Sequence, residues 1–176
     1  NVHLKFSPEN GMKVRLHANV TIYEKRGQVQ LKVATMETQG VGELHKTFEA
    51  LKQSLEKEGL FEKEHKKKIP PYPNRIGVLT SGSGAAYRDI LNVLNRRSPH
   101  IKIILRSIKV QGKGSSQEIV SGIDLFNSYD DIDIIILARG GGSIEDLWAF
   151  NEEKVARSIF SSIIPISTGV GPETDF

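Results

Sequence analysis

The sequence predicts an α/β protein in which an antiparallel hairpin and a helical linker precede a parallel β-sheet. Residues 13–36 alternate apolar and polar side chains with a period of two, as half-buried strands do. Residues 41–61 change to helical spacing and lead into a charged, proline-containing stretch. From residue 75 onwards, short apolar runs alternate with helical patterns, which is typical of a parallel sheet with crossover helices.

The first predicted element is a β-hairpin. Alternate apolar residues share one face of each strand, namely Val14, Leu16, Ala18, Val20 and Ile22 in the first and Val29, Leu31 and Val33 in the second. The intervening Arg26 and Gly27 are expected to form the turn. Because an isolated hairpin is marginal in water, this one needs further strands or another surface to pack against.

The second predicted element is a helix followed by a linker. Apolar residues recur at helical spacing at Leu44, Phe48, Leu51 and Leu55, and Gly59 suits the helix end. The following stretch combines a charge run with three prolines, so we place a domain boundary there. His65 lies among lysines in this stretch, and we interpret it as solvated surface rather than as a metal ligand.

The remaining elements alternate. Strands are predicted at residues 75–81, 101–110, 131–140 and 164–171, and helices at residues 84–99, 116–128 and 143–162. The strands are nearly continuous apolar runs, which indicates a sheet covered on both faces.

Composition excludes several classes of protein. A hydrophobic fraction of 38% in 176 residues is enough for a packed core, and a net charge of +3 permits nucleic-acid binding without requiring it. The absence of cysteine excludes disulfides, thiolate zinc sites and cysteine nucleophiles. No apolar run reaches the roughly 20 residues of a membrane span. Without a signal-peptide core or an initiator Met, the chain is expected to be a cytoplasmic part of a longer protein.

Glycine-rich loops follow three of the four predicted sheet strands, where parallel α/β sheets bind ligands. Arg139 precedes one of these loops and supplies a cation beside backbone N–H groups that can approach an anion. The candidate phosphate-binding residues are Thr80, Ser81, Gly82, Gly140, Gly141, Gly142 and Ser143. The alternative for each loop alone is a tight turn, and neither the dinucleotide fingerprint nor the P-loop pattern is matched.

Acidic and aromatic residues near these loops have two interpretations each. Asp89 on the predicted first helix of the sheet region is either a site residue or a solvent-facing partner of a nearby arginine. Glu145 and Asp146 can act at the site or charge the first turn of their helix favourably. Trp148 and Phe150 either pack in the core, which we favour for Phe150, or stack on bases.

Four stretches together resemble the large-subunit family of exonuclease VII. They are "RIGVLTSGSGAAYRDILNVLNRR", "VQGKGSSQEI", "LARGGGSIEDLWAFNEEKVARSI" and "IPISTGVGPETDF", and their order and spacing agree with the family pattern. The resemblance extends to the N-terminal region, where residues 8–33 look like the latter half of an OB-fold barrel.

The resemblance implies a division into three parts. Residues 1–42 would be a partial all-β OB-fold nucleic-acid-binding module, and residues 43–73 a helix and Pro-rich linker. Residues 74–176 would form a Rossmann-like, parallel-sheet catalytic domain that is incomplete at its C-terminus. The first strands of the barrel and the region that binds exonuclease VII small subunits would lie outside this chain.

The resemblance also implies an activity, the hydrolysis of single-stranded DNA from its ends into short oligonucleotides. The family's catalytic positions correspond to Asp89, Arg139 and Asp175, together with a histidine position that is Pro172 in this chain. Proline can neither accept nor donate a side-chain proton, so Pro172 departs from the family at a catalytic position. In the OB portion, DNA-binding candidates are Lys13, Arg15, Tyr23, Lys25 and Arg26, which are equally plausible as ordinary exposed strand residues.

Two questions stay open at the level of sequence. Asp89, Asp175 and Glu173 supply oxygen ligands that suit Mg²⁺ better than zinc, yet the family does not uniformly need a metal. Two alternative functions also stand, a single-stranded-DNA-binding subunit without catalysis and a glycine-loop kinase of the diacylglycerol-kinase or NAD-kinase type. Against the kinase, "GGGS" lacks the aspartate expected in its Gly-Gly-Asp motif.

Overall fold

A computed structural model describes residues 14–23, 27–38, 41–141 and 144–171. The chain divides into two compact units, Asn1–Thr47 and Phe48–Phe176. Each unit is described by itself.

The first unit contains the predicted hairpin. Strands β1 (Val14–Tyr23) and β2 (Gln28–Thr38) pair antiparallel, and Gly27 between them has a positive φ of 61°. The register shifts between His17 and Ala18, which pair with Thr35 and Val33, so Ala34 is an extra residue on β2. This β-bulge was not predicted from the sequence.

The bulge explains a change in the apolar pattern of β2. Its apolar residues fall at odd positions up to Val33 and at an even position at Met36, because the extra residue resets the alternation. Across the pair, Val20 lies opposite Leu31 and Ile22 opposite Val29, as the predicted common face requires. These side chains are largely exposed, with 71% of Val20 and of Val29 accessible to solvent, so the hairpin does not bury its own apolar face.

Helix α1 (Val41–Lys57) confirms the predicted linker helix, although it is shorter than residues 41–61. Gly59 lies two residues after its end, with a φ of 79° and an N–H that donates to the carbonyl of Glu56 at 2.9 Å. Glycine adopts this left-handed conformation without the steric cost that a side chain would add. Leu55, near the helix end, is buried in the second unit.

The second unit is built on a four-stranded parallel sheet, as predicted. Its strands are β3 (Arg75–Thr80), β4 (Lys102–Ser107), β5 (Ile134–Arg139) and β6 (Ile166–Val170), in the spatial order β4-β3-β5-β6. All three neighbouring pairs are parallel, so the four carboxyl ends lie at one edge. The register places Thr80 beside Ser107 and Arg139 beside Val170 at that edge.

Helices cover both faces of this sheet. Helix α2 (Ala85–Arg97) packs its apolar side against Ile76 and Val78, whereas the alternate residue Leu79 faces the core formed by α3 (Ser115–Asn127) and α5 (Glu153–Ser161). The alternation within β3 therefore serves two cores, which explains its continuous apolar run. Among the described residues, no helix has the length and apolar character needed to cross a membrane.

Two glycines allow α3 to approach β3 closely. A Cβ atom on Gly77 would lie 2.8 Å from the ring of Phe126, and one on Gly122 would lie 2.7 Å from Leu79. Real Cβ atoms do not tolerate such distances, so a larger residue at either position would overpack the core.

The predicted single helix over residues 143–162 is wrong. The structure has a short helix α4 (Ile144–Leu147), a 3₁₀ turn (Trp148–Asn151) and then α5. Glu152 between them is extended, with φ −83° and ψ 136°, and its carbonyl accepts the first hydrogen bond of α5. The break lets Ala149 and Phe150 pack against the same core as Val155, which one straight helix would not allow.

The connection after α1 is attached to α5 through its side chains. Arg157 donates to both carboxylate oxygens of Glu58 at 2.9 and 3.1 Å and to Glu153 at 2.7 Å. The hydrogen bond from Arg157 lowers the pKa of Glu58 from its ordinary value, and the same bond raises the pKa of Arg157. His65 packs on the ring of Phe160 with centroids 5.2 Å apart and is half exposed, in agreement with its interpretation as a surface residue.

Candidate active site at the carboxyl edge of the sheet

The strand order creates a switch point between β3 and β5. The chain leaves β3 towards β4 on one side of the sheet, whereas β5 and β6 lie on the other side. Loops that leave adjacent parallel strands in opposite directions open a crevice at their carboxyl ends, where α/β proteins bind ligands. The candidate phosphate loops after Thr80 and after Arg139 begin at this crevice.

The loop after β3 is held in place by hydrogen bonds. Thr80 is buried, and its carbonyl accepts from the N–H of Ile108 at 3.0 Å. The N–H of Gly82 donates to Ser107 Oγ at 3.1 Å, and Ser81 accepts from Gly84 at 3.0 Å through its carbonyl. The loop is therefore tied to β4, and the N–H of Gly82 is engaged with Ser107.

Arg139 ends β5 as a nearly buried cation, with 8% of the residue exposed. Its Nη2 donates to Gln111 Oε1 at 2.7 Å, and its Nη1 donates to the carbonyl of Gly140 at 3.0 Å. Asp146 lies 3.6 Å from Nη2, beyond hydrogen-bond range, and 45% of its side chain is exposed. The guanidinium is thus oriented by the neutral acceptors of Gln111 and Gly140, and it also forms an ion pair with the partly exposed carboxylate of Asp146.

Gln111 was not selected from the sequence. It lies in the loop between β4 and α3, and β3 separates β4 from β5 in the sheet. The available signal was its place after a sheet strand, at the edge that Arg139 also occupies.

The glycines after Arg139 leave open space. A Cβ atom on Gly140 or Gly141 would meet no described atom within 4 Å, and neither residue has a positive φ. Neither packing nor backbone conformation in the described part of the chain therefore accounts for these two glycines. Gly142 and Ser143, the other predicted members of this loop, lie outside the described residues.

Of the predicted acidic residues, Asp146 contacts Arg139, whereas Asp89 has no contact with it in the described part of the chain. Asp89 is exposed on α2, and no described residue forms a hydrogen bond or ion pair with it. Asp175, together with Pro172 and Glu173, lies outside the described residues.

A family model described as exonuclease VII, large subunit, matches residues 60–176, which is more than half of the chain. The chain belongs to this family. A second family model, an OB-fold nucleic acid binding domain, matches residues 1–37. The recognition made from the four sequence stretches is thereby confirmed.

Curated members of the exonuclease VII large-subunit family resemble the chain along its whole length. The exodeoxyribonuclease 7 large subunit of Halothermothrix orenii is 54% identical over 176 residues, which are 100% of this chain and 44% of that protein. That of Geobacter sulfurreducens is 54% identical over 173 residues, covering 98% of this chain and 39% of that protein. The chain therefore spans about two fifths of the length of these curated relatives.

The OB-fold match covers most of the hairpin, where DNA-binding residues were predicted. Arg15 is exposed on β1, and Tyr23 is the last residue of that strand. Lys13, Lys25 and Arg26 lie outside the described residues.

The aromatic residues after Arg139 differ in their packing. Phe150 packs against the main core, which confirms the interpretation favoured for it. Trp148 begins the 3₁₀ turn, is only half buried and lies two residues after Asp146.

The described residues do not bring together a group of side chains that could bind a metal ion. No group of three or more His, Asp or Glu side chains clusters there in a way that could hold a cation. The predicted oxygen ligands beside Asp89 are Glu173 and Asp175, which lie outside that part of the chain. We therefore derive no catalytic step through a metal ion.

Proposed function

We propose that this chain is part of an exodeoxyribonuclease large subunit that hydrolyses phosphodiester bonds of single-stranded DNA and releases short oligonucleotides. The observation that carries the proposal is Arg139, a nearly buried guanidinium at the switch point that is oriented by the neutral acceptors of Gln111 and Gly140. A cation held in this way suits the negative charge of a phosphodiester. The names of the curated relatives support the same reaction.

In this proposal Arg139 and the glycine loop bind the scissile phosphate. The open space beside Gly140 and Gly141 lets a phosphate oxygen approach the backbone N–H groups, with Gly142 and Ser143 continuing the same loop. These donors stabilise the extra negative charge that develops on the phosphate oxygens in the transition state. Thr80, Ser81 and Gly82 would line the opposite side of the crevice.

Hydrolysis also needs a base and an acid. A water oxygen forms a new bond to phosphorus while the bond from phosphorus to the leaving sugar oxygen breaks. Asp89 or Asp175 would take the proton from the attacking water, and the leaving oxygen must receive a proton in return. Because Pro172 cannot provide that proton, another group or a water molecule would supply it.

The same proposal includes a division of the chain into three parts. We assign residues 1–42 to a partial OB-fold module, residues 43–73 to the linker, and residues 74–176 to a Rossmann-like catalytic domain. Arg15 and Tyr23 would contact the DNA strand with Lys13, Lys25 and Arg26. Assembly with small subunits through a region outside this chain, and a cytoplasmic location, complete the proposal.

A second candidate function is a single-stranded-DNA-binding subunit without catalysis. The observation that favours it is Pro172, at the position where the resemblance implies a catalytic histidine. Such a subunit would bind oligonucleotides tightly and in a salt-sensitive way but would not cut them.

The test uses the full-length large subunit, assembled with its small subunit and incubated with end-labelled single-stranded DNA. We expect Arg139→Ala to reduce oligonucleotide release by roughly 10²–10³-fold, as the loss of a transition-state donor does. Arg157→Ala is the matched control, because it removes an arginine on α5 whose partners are Glu58 and Glu153. Parallel reactions with EDTA test the need for a divalent cation.

The variant Pro172→His separates the two candidate functions. If the parent is inert and Pro172→His cuts DNA, the proline is an inactivating substitution at a catalytic position. If every variant binds the strand and none cuts it, the binding subunit replaces the nuclease. Cleavage that survives Arg139→Ala unchanged would contradict the proposed phosphate site.

A further inference from the structure

The guanidinium of Arg139 is oriented by Gln111, a residue from the loop that follows a different strand, β4. The bond from its Nη2 to Gln111 Oε1 is 2.7 Å long, shorter than its 3.0 Å bond to Gly140 and much shorter than its 3.6 Å separation from Asp146. Gln111 therefore accepts a short hydrogen bond from the guanidinium, and Asp146 adds an ion pair to the same nitrogen. The amide oxygen of Gln111 is neutral, so it orients the cation without cancelling its charge.

The loop that carries Gln111 is anchored on both sides. Before it, Ile108 donates to Thr80 at 3.0 Å and Lys109 donates through its N–H to the carboxylate of Glu118 at 2.8 Å. After it, the buried hydroxyl of Ser115 donates to the carbonyl of Gly112 at 2.6 Å. A residue held between two anchored points can set the geometry of its partner, as a preorganised site requires.

The position of this hydrogen bond, at the carboxyl edge of the sheet, indicates its function. Gln111 follows β4 and Arg139 ends β5, so the bond between them crosses the carboxyl end of β3. The loop that carries Gln111 is tied to the end of β3 through Ile108 and Thr80, which brings Gln111 within reach of Arg139. The guanidinium is thereby held at the switch point rather than turned towards solvent.

We propose that Gln111 is the positioning residue of Arg139, holding its guanidinium at the switch point with its positive charge available for a DNA phosphate. This inference rests on the proposed function. The proposed role requires a neutral side chain at position 111. A hydrogen bond with a merely structural role would not.

The decisive variant is Gln111→Glu in the full-length large subunit with its small subunit. A carboxylate keeps the acceptor and forms an ion pair with the nearly buried guanidinium, so Tm is expected to stay the same or rise. The same carboxylate would neutralise the positive charge of Arg139 that a phosphate needs. We expect kcat/KM for single-stranded DNA to fall by roughly 30-fold or more, with KM raised.

Two further variants make the interpretation specific. Gln111→Met keeps the volume but removes the acceptor, and we expect both Tm and kcat/KM to fall. Gln117→Glu makes the same change of charge at an exposed position on α3, and we expect it to behave like the parent. A structural role alone predicts full activity for Gln111→Glu, because the acceptor is kept.

A binding measurement covers the case in which the parent does not cut DNA. The probe is a fluorescein-labelled single-stranded oligothymidylate, and affinity is measured by anisotropy over a series of salt concentrations. For Gln111→Glu we expect weaker binding and a salt slope reduced by about 0.7, the loss of one phosphate contact. A parent that neither cuts nor binds contradicts the proposed function. An active or binding parent matched by Gln111→Glu in activity, affinity and slope overturns the role of Gln111.

Discussion

The two edges of the parallel sheet use their polar groups in opposite ways. At the amino edge, Asp133 Oδ2 accepts from the N–H groups of Asn74 and Arg75 at 2.6 and 2.8 Å. Nearby, Asn127 Oδ1 accepts from the N–H groups of Ile163 and Ile164 at 3.0 and 3.3 Å. At the carboxyl edge, the oriented cation of Arg139 lies beside the open glycines 140 and 141.

This difference between the two edges separates the polar groups that stabilise the fold from those that are available for activity. Polar groups at the amino edge are satisfied by the backbone of neighbouring segments, so their hydrogen bonds contribute to stability. At the carboxyl edge, the nearly buried guanidinium of Arg139 is held by side chains and by its own loop, through hydrogen bonds to Gln111 and Gly140 and an ion pair at 3.6 Å with Asp146, and it lies next to open glycines. Substitutions at the amino edge should therefore change stability, and substitutions at the carboxyl edge should change activity.

The largest expected effect is at Gly141. A Cβ atom there would meet no described atom within 4 Å, so we expect Gly141→Val to change the free energy of unfolding little. Its side chain would occupy the space through which we propose that phosphate approaches, and we expect kcat/KM to fall by about 100-fold. The measurements are steady-state cleavage of single-stranded DNA and urea denaturation followed by circular dichroism.

A graded series sharpens this prediction. Gly141→Ala adds one methyl group and should reduce activity less than Gly141→Val, with both variants as stable as the parent. If the parent and both variants were equally active, no ligand would occupy the open space beside Gly141. The contrast between the two edges would then be wrong.

The next effect is at Asn127, at the amino edge. Asn127→Ala removes the oxygen that accepts from the N–H groups of Ile163 and Ile164 and from the Ser162 hydroxyl, and the amide that donates to Ile123. We expect the free energy of unfolding to fall by about 2 kcal/mol. Below the unfolding transition, kcat/KM should equal that of the parent. Asn127→Asp is the intermediate case, since it keeps the acceptor oxygen but places a carboxylate oxygen against the carbonyl of Ile123, and we expect it to retain part of the stability that Asn127→Ala loses. If Asn127→Ala is as stable as the parent, the amino edge does not hold the fold in the way described.

The smallest effect is at Glu58, whose partner lies on α5 away from both edges. Hydrogen bonding to Arg157 lowers the pKa of Glu58 below its ordinary 4.5, so this pair stabilises the folded state above that pH. The contribution is lost as the pH falls through the lowered pKa. Because both side chains are exposed, we expect Glu58→Gln to lower Tm at pH 7 by no more than about 2 °C.

The pH dependence gives the check on Glu58. The difference in Tm between the parent and Glu58→Gln should disappear at pH values well below 4.5. Glu56→Gln, at an exposed position in the last turn of α1, should show no such difference at neutral pH. A difference that persists in acid would contradict the assignment of this contribution to the ion pair.

Much of the fold could be predicted from local pattern. Continuous apolar runs located β3 to β6, and their separation by helices indicated a parallel sheet. The single helix predicted over residues 143–162 failed because apolar spacing continues across Glu152, where the backbone is extended to serve core packing. The apolar alternation in the hairpin was visible, but alternation does not reveal whether anything covers that face.

The candidate site was predictable only in part. Arg139 could be placed at the sheet edge because a strand end is a local feature of the sequence. Its partner Gln111 could not, because that contact spans 28 residues and depends on β3 lying between β4 and β5. Periodicity gives the elements but not their lateral order in a sheet.

The half-buried position of Trp148 gives the protein a built-in optical probe. It is the single tryptophan of the chain, and it follows Asp146 by two residues while its neighbours Ala149 and Phe150 are fixed in the core. Selective excitation of this indole therefore samples one segment of the chain, the turn that follows Asp146. Titration with an unlabelled oligonucleotide would report occupancy of the crevice through emission intensity and wavelength, before any bond is cut.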